Sequence, residues 1–132
     1  MKNTPVFLPR KSNAPLVLIV DDEAAIAETL ADFISVLGYT SEVAYNGQQA
    51  LQLAREHWPT LVITDLMMPI MDGAHLVEAL HNEATDRRIA APPIVLLTAV
   101  GTRAVNGLAV EAILAKPFNF DHLEKVILPF LE

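Results

Sequence analysis

The sequence predicts a doubly wound α/β domain around a five-stranded parallel sheet, and two observations carry this prediction. Four short apolar runs and a mixed strand-like segment at 40–44 alternate with stretches whose apolar residues recur at helical spacing. The runs at 16–20 and 94–97 are continuously apolar, which is typical of strands buried on both faces of a parallel sheet. Parallel strands need crossover connections, so the stretches between the runs are predicted to be helices that cover both faces.

Apolar spacing assigns the elements of the first half in chain order. After the first strand, a helix stopped by Gly38 has one apolar face, formed by Ile26, Leu30, Phe33, Ile34 and Leu37. A strand over 40–44 then precedes a helix that Asn46 caps and Pro59 ends.

The second half of the chain continues the alternation of strands and helices, with weaker apolar patterns. Its strands are predicted at 61–64, 94–97 and 112–115. A helix opens at Asp72-Gly73, and residues 81–93 are predicted to be a polar connection. A short helix is predicted within 102–110. The last helix has its apolar face at Leu123, Val126, Ile127, Phe130 and Leu131.

Composition favours one domain and excludes several chemistries. The chain has 132 residues, 52% of them hydrophobic, which suits one domain over 16–132 behind a flexible, proline-bearing leader at 1–15. The absence of cysteine excludes disulfides, thiolate catalysis and cysteine-based zinc sites.

The formal net charge of −7 argues against direct binding of nucleic acid. With neither a signal peptide nor an apolar run of roughly 18–20 residues, we expect no membrane span and a cytoplasmic location.

Polar residues stand where the predicted strands end, and they predict phosphoryl chemistry. In open parallel sheets, the carboxyl ends of the strands form the ligand-binding edge. Carboxylates that meet there repel one another unless a cation joins them, and oxygen ligands favour Mg²⁺ or Mn²⁺. Beside such an ion, a carboxylate can attack a phosphoryl group, while a hydroxyl and an ammonium group contact its oxygens. The residues concerned are Asp21, Asp22, Asp65, Thr98 and Lys116. Each alone is also explained as a helix-start acid, a turn residue or a solvated charge, so the prediction rests on their combination.

The same positions carry a resemblance to a known family. The stretches 20–23, 65–73, 97–99 and 116–118 resemble the motifs of the receiver domain of two-component response regulators, the family typified by the chemotaxis protein CheY. The resemblance runs from about Leu16 to Leu131. It implies the flavodoxin-like (CheY-like) strand order 2-1-3-4-5.

The resemblance also implies a role for each site residue. Asp65 would be the phosphoryl acceptor. The Mg²⁺ (or Mn²⁺) ligands would be Asp22, Asp65 and the backbone carbonyl of Met67, with Asp21 binding largely through water. Thr98 would be the switch hydroxyl, Lys116 would contact the phosphoryl group, and the bond before Pro117 would be cis. Glu23 matches the acidic run of the family without a defined role.

A receiver domain is expected to act as a signalling switch and not as an enzyme. The donor would be a phosphohistidine of a sensor kinase or of a histidine phosphotransfer domain. Phosphorylation would change binding of a downstream protein at the face formed by the fourth helix, the fifth strand and the last helix. Homodimerisation is an alternative response. We expect no output domain in this chain.

Three departures from the family pattern lead to further expectations. Ile113 stands where receivers usually have the aromatic residue that couples to the threonine. Only 17 residues, 99–115, separate Thr98 from Lys116, so the fourth helix should be short or irregular. Met67 and Val100 stand two residues past Asp65 and Thr98, where apolar side chains cannot orient an attacking water. A slow loss of the phosphoryl group is therefore expected.

Three other functions compete with this interpretation. A phosphatase of the haloacid dehalogenase kind would need a second aspartate at the position of Met67. A flavin-binding protein would need a Ser-, Thr- and Gly-rich phosphate cradle after the first strand, where this chain has Asp21 and Asp22. A degenerate receiver that serves only as a scaffold is disfavoured by the complete set of site residues, although Ile113 and the short fourth helix keep it open.

Overall fold

The strands form a single parallel sheet in the order β2-β1-β3-β4-β5, which confirms the predicted order. The computed structural model describes residues 14–99 and 107–132. Parallel pairing joins each strand to its neighbours, with Val20 opposite both Ala44 and Thr64. The strands are β1 (Leu16–Val20), β2 (Thr40–Ala44), β3 (Leu61–Asp65), β4 (Ile94–Thr98) and β5 (Ala112–Ala115).

Helices cover both faces of the sheet, because alternate strand residues point to opposite sides. Val17 and Ile19 belong to a core formed with α1 and the C-terminal helix. Leu18 and Val20 face the other way, into a core formed with α2 and α3. The described helices are α1 (Ala24–Val36), α2 (Gly47–Glu56), α3 (Gly73–Arg87) and the C-terminal helix (Phe120–Leu131).

The predicted polar connection over 81–93 is wrong in its first half, because α3 continues to Arg87. Ala84 lies four residues after Leu80 and is buried, so the apolar face extends one further turn. Glu83 and Arg87 form an ion pair of 3.0 Å on the outer surface of this turn. The helix ends where Arg88 adopts a left-handed conformation with φ of 58°.

The segment between β4 and β5 is described only from Gly107 onward. Of the short helix predicted within 102–110, residues 107–110 are described and are not helical, while 100–106 lie outside the described residues. Leu108 and Val110 are half-buried and pack on the apolar clusters of the sheet. These two side chains therefore contribute to the apolar packing of the sheet.

Within residues 14–99 and 107–132, no helix combines the length and the apolar character that crossing a membrane requires.

Candidate functional site

Three carboxylates meet at the carboxyl ends of β1 and β3. Asp21 and Asp22 directly follow β1, and Asp65 is the last residue of β3, the strand paired with β1. The pairing brings one oxygen of each carboxylate within 4.8 Å of the others. Asp21 is fully buried, Asp65 is 8% exposed and Asp22 is exposed to solvent. The strand tips thus bring together the three acids that the sequence singled out.

Lys116 brings a positive charge to the two buried acids. Its Nζ lies 3.3 Å from Asp21 Oδ2 and 3.4 Å from Asp65 Oδ1. Burial alone would lower the pKa of Lys116, but the charges of Asp21 and Asp65 outweigh it and hold this pKa above its ordinary value. Lys116 is therefore a fixed cation at neutral pH.

Thr98 is the last residue of β4, the strand that lies between β3 and β5 in the sheet. It is 1% exposed, and its carbonyl accepts a hydrogen bond of 2.8 Å from the backbone N–H of Lys116. The Lys116–Pro117 peptide bond is cis. Behind the site, Ile113 is half-buried against Leu66 and Leu96.

The carboxyl group of Asp65 is less acidic than usual. Its pKa is raised by burial and by the nearby charge of Asp21, although Lys116 acts in the opposite direction. One of its oxygens, Oδ1, accepts a hydrogen bond of 2.9 Å from the N–H of Leu66. Asp21 is fixed similarly, since its Oδ1 accepts a bond of 2.9 Å from the N–H of Glu23.

The residues present suit a hard divalent cation. The acid cluster offers only carboxylate oxygens, and Lys116 offsets one of three negative charges. Oxygen donors of this kind favour Mg²⁺ or Mn²⁺ over softer metals. The carboxyl end of β3 continues into the loop that carries Met67, whose side chain is 65% exposed. The donor set thus fits the ion that the sequence predicted.

The loop after Asp65 is closed by Gly73. The N–H of Gly73 donates to the carbonyl of Leu66 at 2.8 Å. A Cβ at residue 73 would collide with the backbone carbonyl oxygen of Asp65 and lie 2.9 Å from Leu66 Cα. Since backbone atoms of a buried strand end cannot move aside cheaply, this position requires glycine.

Gly73→Ala is expected to destabilise the domain by about 2 kcal/mol, as overpacking of a tight contact does. The displaced atoms belong to Asp65 and Leu66, so the geometry of the acid cluster should change as well. Chemical denaturation measures the loss of stability. Gly107→Ala is the comparison for backbone strain without a collision, since Gly107 has a φ of 90° but nothing within 4 Å of an added Cβ. Wild-type stability in Gly73→Ala would contradict the collision.

Asp72 caps α3 at the far end of this loop. Its Oδ1 accepts hydrogen bonds from the backbone N–H of His75 at 2.9 Å and from His75 Nδ1 at 2.8 Å. Burial alone would raise the pKa of Asp72, but these bonds outweigh it and lower this pKa below its ordinary value of 3.8. The ionised cap therefore stabilises α3.

Asp72→Ala should lower the free energy of unfolding by about 1 kcal/mol at neutral pH, the usual value of such a cap. Because folding lowers the pKa of Asp72, its carboxylate stabilises the folded state above the ordinary pKa of 3.8. This stabilisation is lost as the pH falls through the pKa that Asp72 has in the folded protein. The difference between variant and wild type should therefore shrink below pH 3.8. Denaturation at neutral pH and again below pH 3.8 measures this difference in stability. Asp86→Ala is the control, because Asp86 is an exposed aspartate of the same helix. A pH-independent difference would contradict the role of the ionised cap.

Sequence reasoning missed an apolar groove beside Lys116. Its volume is about 520 Å³. One wall comes from α1 and the other from the segment after β5, so no local pattern could have revealed it. Apart from Lys116, the lining residues are Ala25, Ile26, Thr29, Leu30, Pro117, Phe118 and Phe120.

Comparison with known proteins identifies the family. A model of the response regulator receiver domain matches residues 17–128. The chain belongs to this family. The receiver is therefore a domain of two-component signalling, and its fold agrees with that of its solved relatives.

Three relatives illustrate the similarity. A probable transcriptional regulator, ycf27, of Porphyra purpurea is 37% identical over 112 residues, covering 82% of this chain and 44% of that protein. The response regulator TrrA of Thermotoga maritima, solved in complex with Mg²⁺-BeF, is 30% identical with a TM-score of 0.77, covering 89% of this chain and 99% of that one. A co-crystal structure of the Saccharomyces cerevisiae histidine phosphotransfer protein Ypd1 and the receiver domain of Ssk1 matches with 25% identity and a TM-score of 0.78, covering 86% and 87%.

The receiver spans about half the length of the curated relatives it matches, between 42% and 49%.

Proposed function

We propose that this receiver is a phosphoryl-accepting switch in which Asp65 takes a phosphoryl group from a phosphohistidine of a sensor kinase or a histidine phosphotransfer domain. The observation that carries the proposal is the position of Asp65, which is buried at a strand end, close to Asp21 and 3.4 Å from the ammonium group of Lys116. A carboxylate held in such a place can act as a nucleophile, because its surroundings stabilise the charge that moves onto the phosphoryl oxygens.

The transfer exchanges one bond to phosphorus for another. A carboxylate oxygen of Asp65 forms a bond to phosphorus as the P–N bond of the phosphohistidine breaks, and the imidazole keeps the bonding electron pair and takes a proton. Lys116 donates a hydrogen bond to a phosphoryl oxygen, and the hydroxyl of Thr98 donates to another. Asp21, Asp22, Asp65 and the Met67 carbonyl would hold Mg²⁺ or Mn²⁺, which would neutralise charge on the transferred oxygens.

The apolar groove beside Lys116 is the proposed binding site of the phosphohistidine donor protein. It opens next to the ammonium group that contacts Asp65, so a helix docked there places a side chain near the acceptor. Its lining is almost entirely apolar, which suits the apolar face of an amphipathic donor helix. The similarity to a receiver solved with a histidine phosphotransfer protein supports a donor of this kind.

The phosphorylated receiver is proposed to be a long-lived signal and not an enzyme intermediate. The side chain of Met67 points to solvent beside the site and offers no polar group to orient an attacking water. Autodephosphorylation should therefore be slow. The added charge biases a two-state equilibrium that changes binding of a downstream protein or of a second copy. Since phosphohistidine donors draw on ATP, the proposed compartment is the cytoplasm.

Intact-mass spectrometry with acetyl phosphate as donor tests this function. We expect the receiver to gain the mass of one phosphoryl group in the presence of Mg²⁺ and to gain none in EDTA. After donor removal, the added mass should persist for many minutes. Steady release of phosphate from added phosphate esters would instead support a phosphatase, and no mass gain in Mg²⁺ would contradict the proposal.

A further inference from the structure

The start of α2 is bonded to the loop that follows Asp65. The first backbone N–H groups of a helix have no partner within the helix. One of them, the N–H of Gly47, donates to the carbonyl of Met71 at 2.8 Å. The start of α2 is itself fixed, because Asn46 Oδ1 accepts a hydrogen bond of 2.8 Å from the N–H of Gln49. The loop is thus attached to a capped helix end.

This attachment leaves no space for a side chain at residue 47. A Cβ there would lie 2.5 Å from the carbonyl oxygen of Met71 and 2.7 Å from its Cγ. Even alanine would therefore push the backbone of the loop away from α2. Gly47 is a glycine because two backbones approach each other closely, and not because its φ requires it.

The attached part of the loop is strained. The N–H of Met71 donates to the carbonyl of Pro69 at 2.8 Å, which closes a three-residue turn around Ile70. Ile70 has a φ of 70°, a left-handed conformation that β-branched residues avoid, and its side chain is 76% exposed. Because the exposed side chain gains little from packing, neighbouring contacts such as the Gly47 bond must hold the turn in place.

We infer that Gly47 is a positioning residue for the metal site. It holds the loop from Leu66 to Asp72, and Met67 on this loop supplies the backbone carbonyl proposed to bind Mg²⁺. Gly47 itself touches no ligand of the ion, and its effect passes through Met71. The inference rests on the proposed function, since it concerns the same cation site.

Titration of the unphosphorylated receiver with Mg²⁺, followed by NMR chemical shifts, tests this role. Gly47→Ala should weaken Mg²⁺ binding about tenfold, within the range found when outer supports of metal ligands are removed. The matched control is Gly38→Ala, which strains a residue with φ of 94° but meets no atom within 4 Å. The control should lose stability and keep its Mg²⁺ affinity. Equal affinities for Gly47→Ala and wild type would overturn the inference.

A second pair of variants keeps the test valid if Gly47→Ala does not fold. Asn46→Ala removes the cap that fixes the start of α2, and Asn119→Ala removes the equivalent cap of the C-terminal helix, where Asn119 Oδ1 accepts from the N–H of His122 at 2.7 Å. Both should cost similar stability. Only Asn46→Ala should weaken Mg²⁺ binding, and equal affinities in the pair would overturn the inference. If wild type itself binds no Mg²⁺, the proposed function fails instead.

Discussion

Asp65→Asn is expected to abolish phosphoryl acceptance while the fold remains intact. An amide has the shape of a carboxyl group but is not a nucleophile, so no acyl phosphate can form. Burial and the charge of Asp21 raise the pKa of Asp65, so folding disfavours its ionised form. A raised carboxyl pKa means that stability falls as pH rises through the folded pKa. At neutral pH the metal-free variant should therefore be at least as stable as wild type.

Intact mass after incubation with acetyl phosphate and Mg²⁺ measures this loss. Asp86→Asn is the matched control, because Asp86 is an exposed aspartate on α3. The control should gain one phosphoryl group as wild type does. A phosphoryl group on Asp65→Asn at the wild-type level would place the acceptor elsewhere, and peptide mapping would then locate it.

Lys116→Met is expected to have the largest effect on stability, about 3 kcal/mol in metal-free buffer, since it leaves buried charges without their partner. The side chain of Lys116 is only 18% exposed and lies between Asp21 and Asp65. Methionine preserves the length of the side chain and removes its charge. Urea denaturation in EDTA measures the change. Phosphoryl acceptance should fall too, since a cation beside the transferred oxygens is lost.

Two further variants separate charge from packing in this result. Lys125→Met removes a lysine from an exposed position of the C-terminal helix and should change stability little. Adding Asp21→Asn to Lys116→Met should recover part of the lost stability, because one unpaired buried charge disappears with it. Full wild-type stability of Lys116→Met would contradict the ion pairs on which the site depends.

Apolar runs that end at Asp, Thr or Lys were sufficient to predict four of the strands as members of a parallel sheet. The order of the strands was implied by the resemblance to receiver domains. The end of α3 was mispredicted for a physical reason. Residues 81–87 are mostly polar, and one buried side chain, Ala84, with an ion pair of Glu83 extends the helix through them. A single apolar contact in a polar stretch is a weak signal for any periodicity argument.

The site followed from the rule that strand ends meet, which places Asp21, Asp65, Thr98 and Lys116 together once the strand order is known. What the sequence did not reveal depends on contacts between elements that are distant along the chain. The bond from Gly47 to Met71 joins α2 to the loop after β3, and the groove beside Lys116 has one wall from α1. Such contacts depend on how the helices dock on the sheet, and local sequence patterns do not predict that docking.

A crystal structure of the receiver grown with Mg²⁺ and beryllofluoride, a phosphoryl mimic, is the direct test of phosphoryl acceptance at Asp65. We expect a beryllofluoride group on Asp65, in contact with Lys116 and Thr98, and a metal ion bound by Asp21, Asp22 and Asp65. A mimic attached to another residue, or an acid cluster that binds no ion at saturating Mg²⁺, would contradict this expectation.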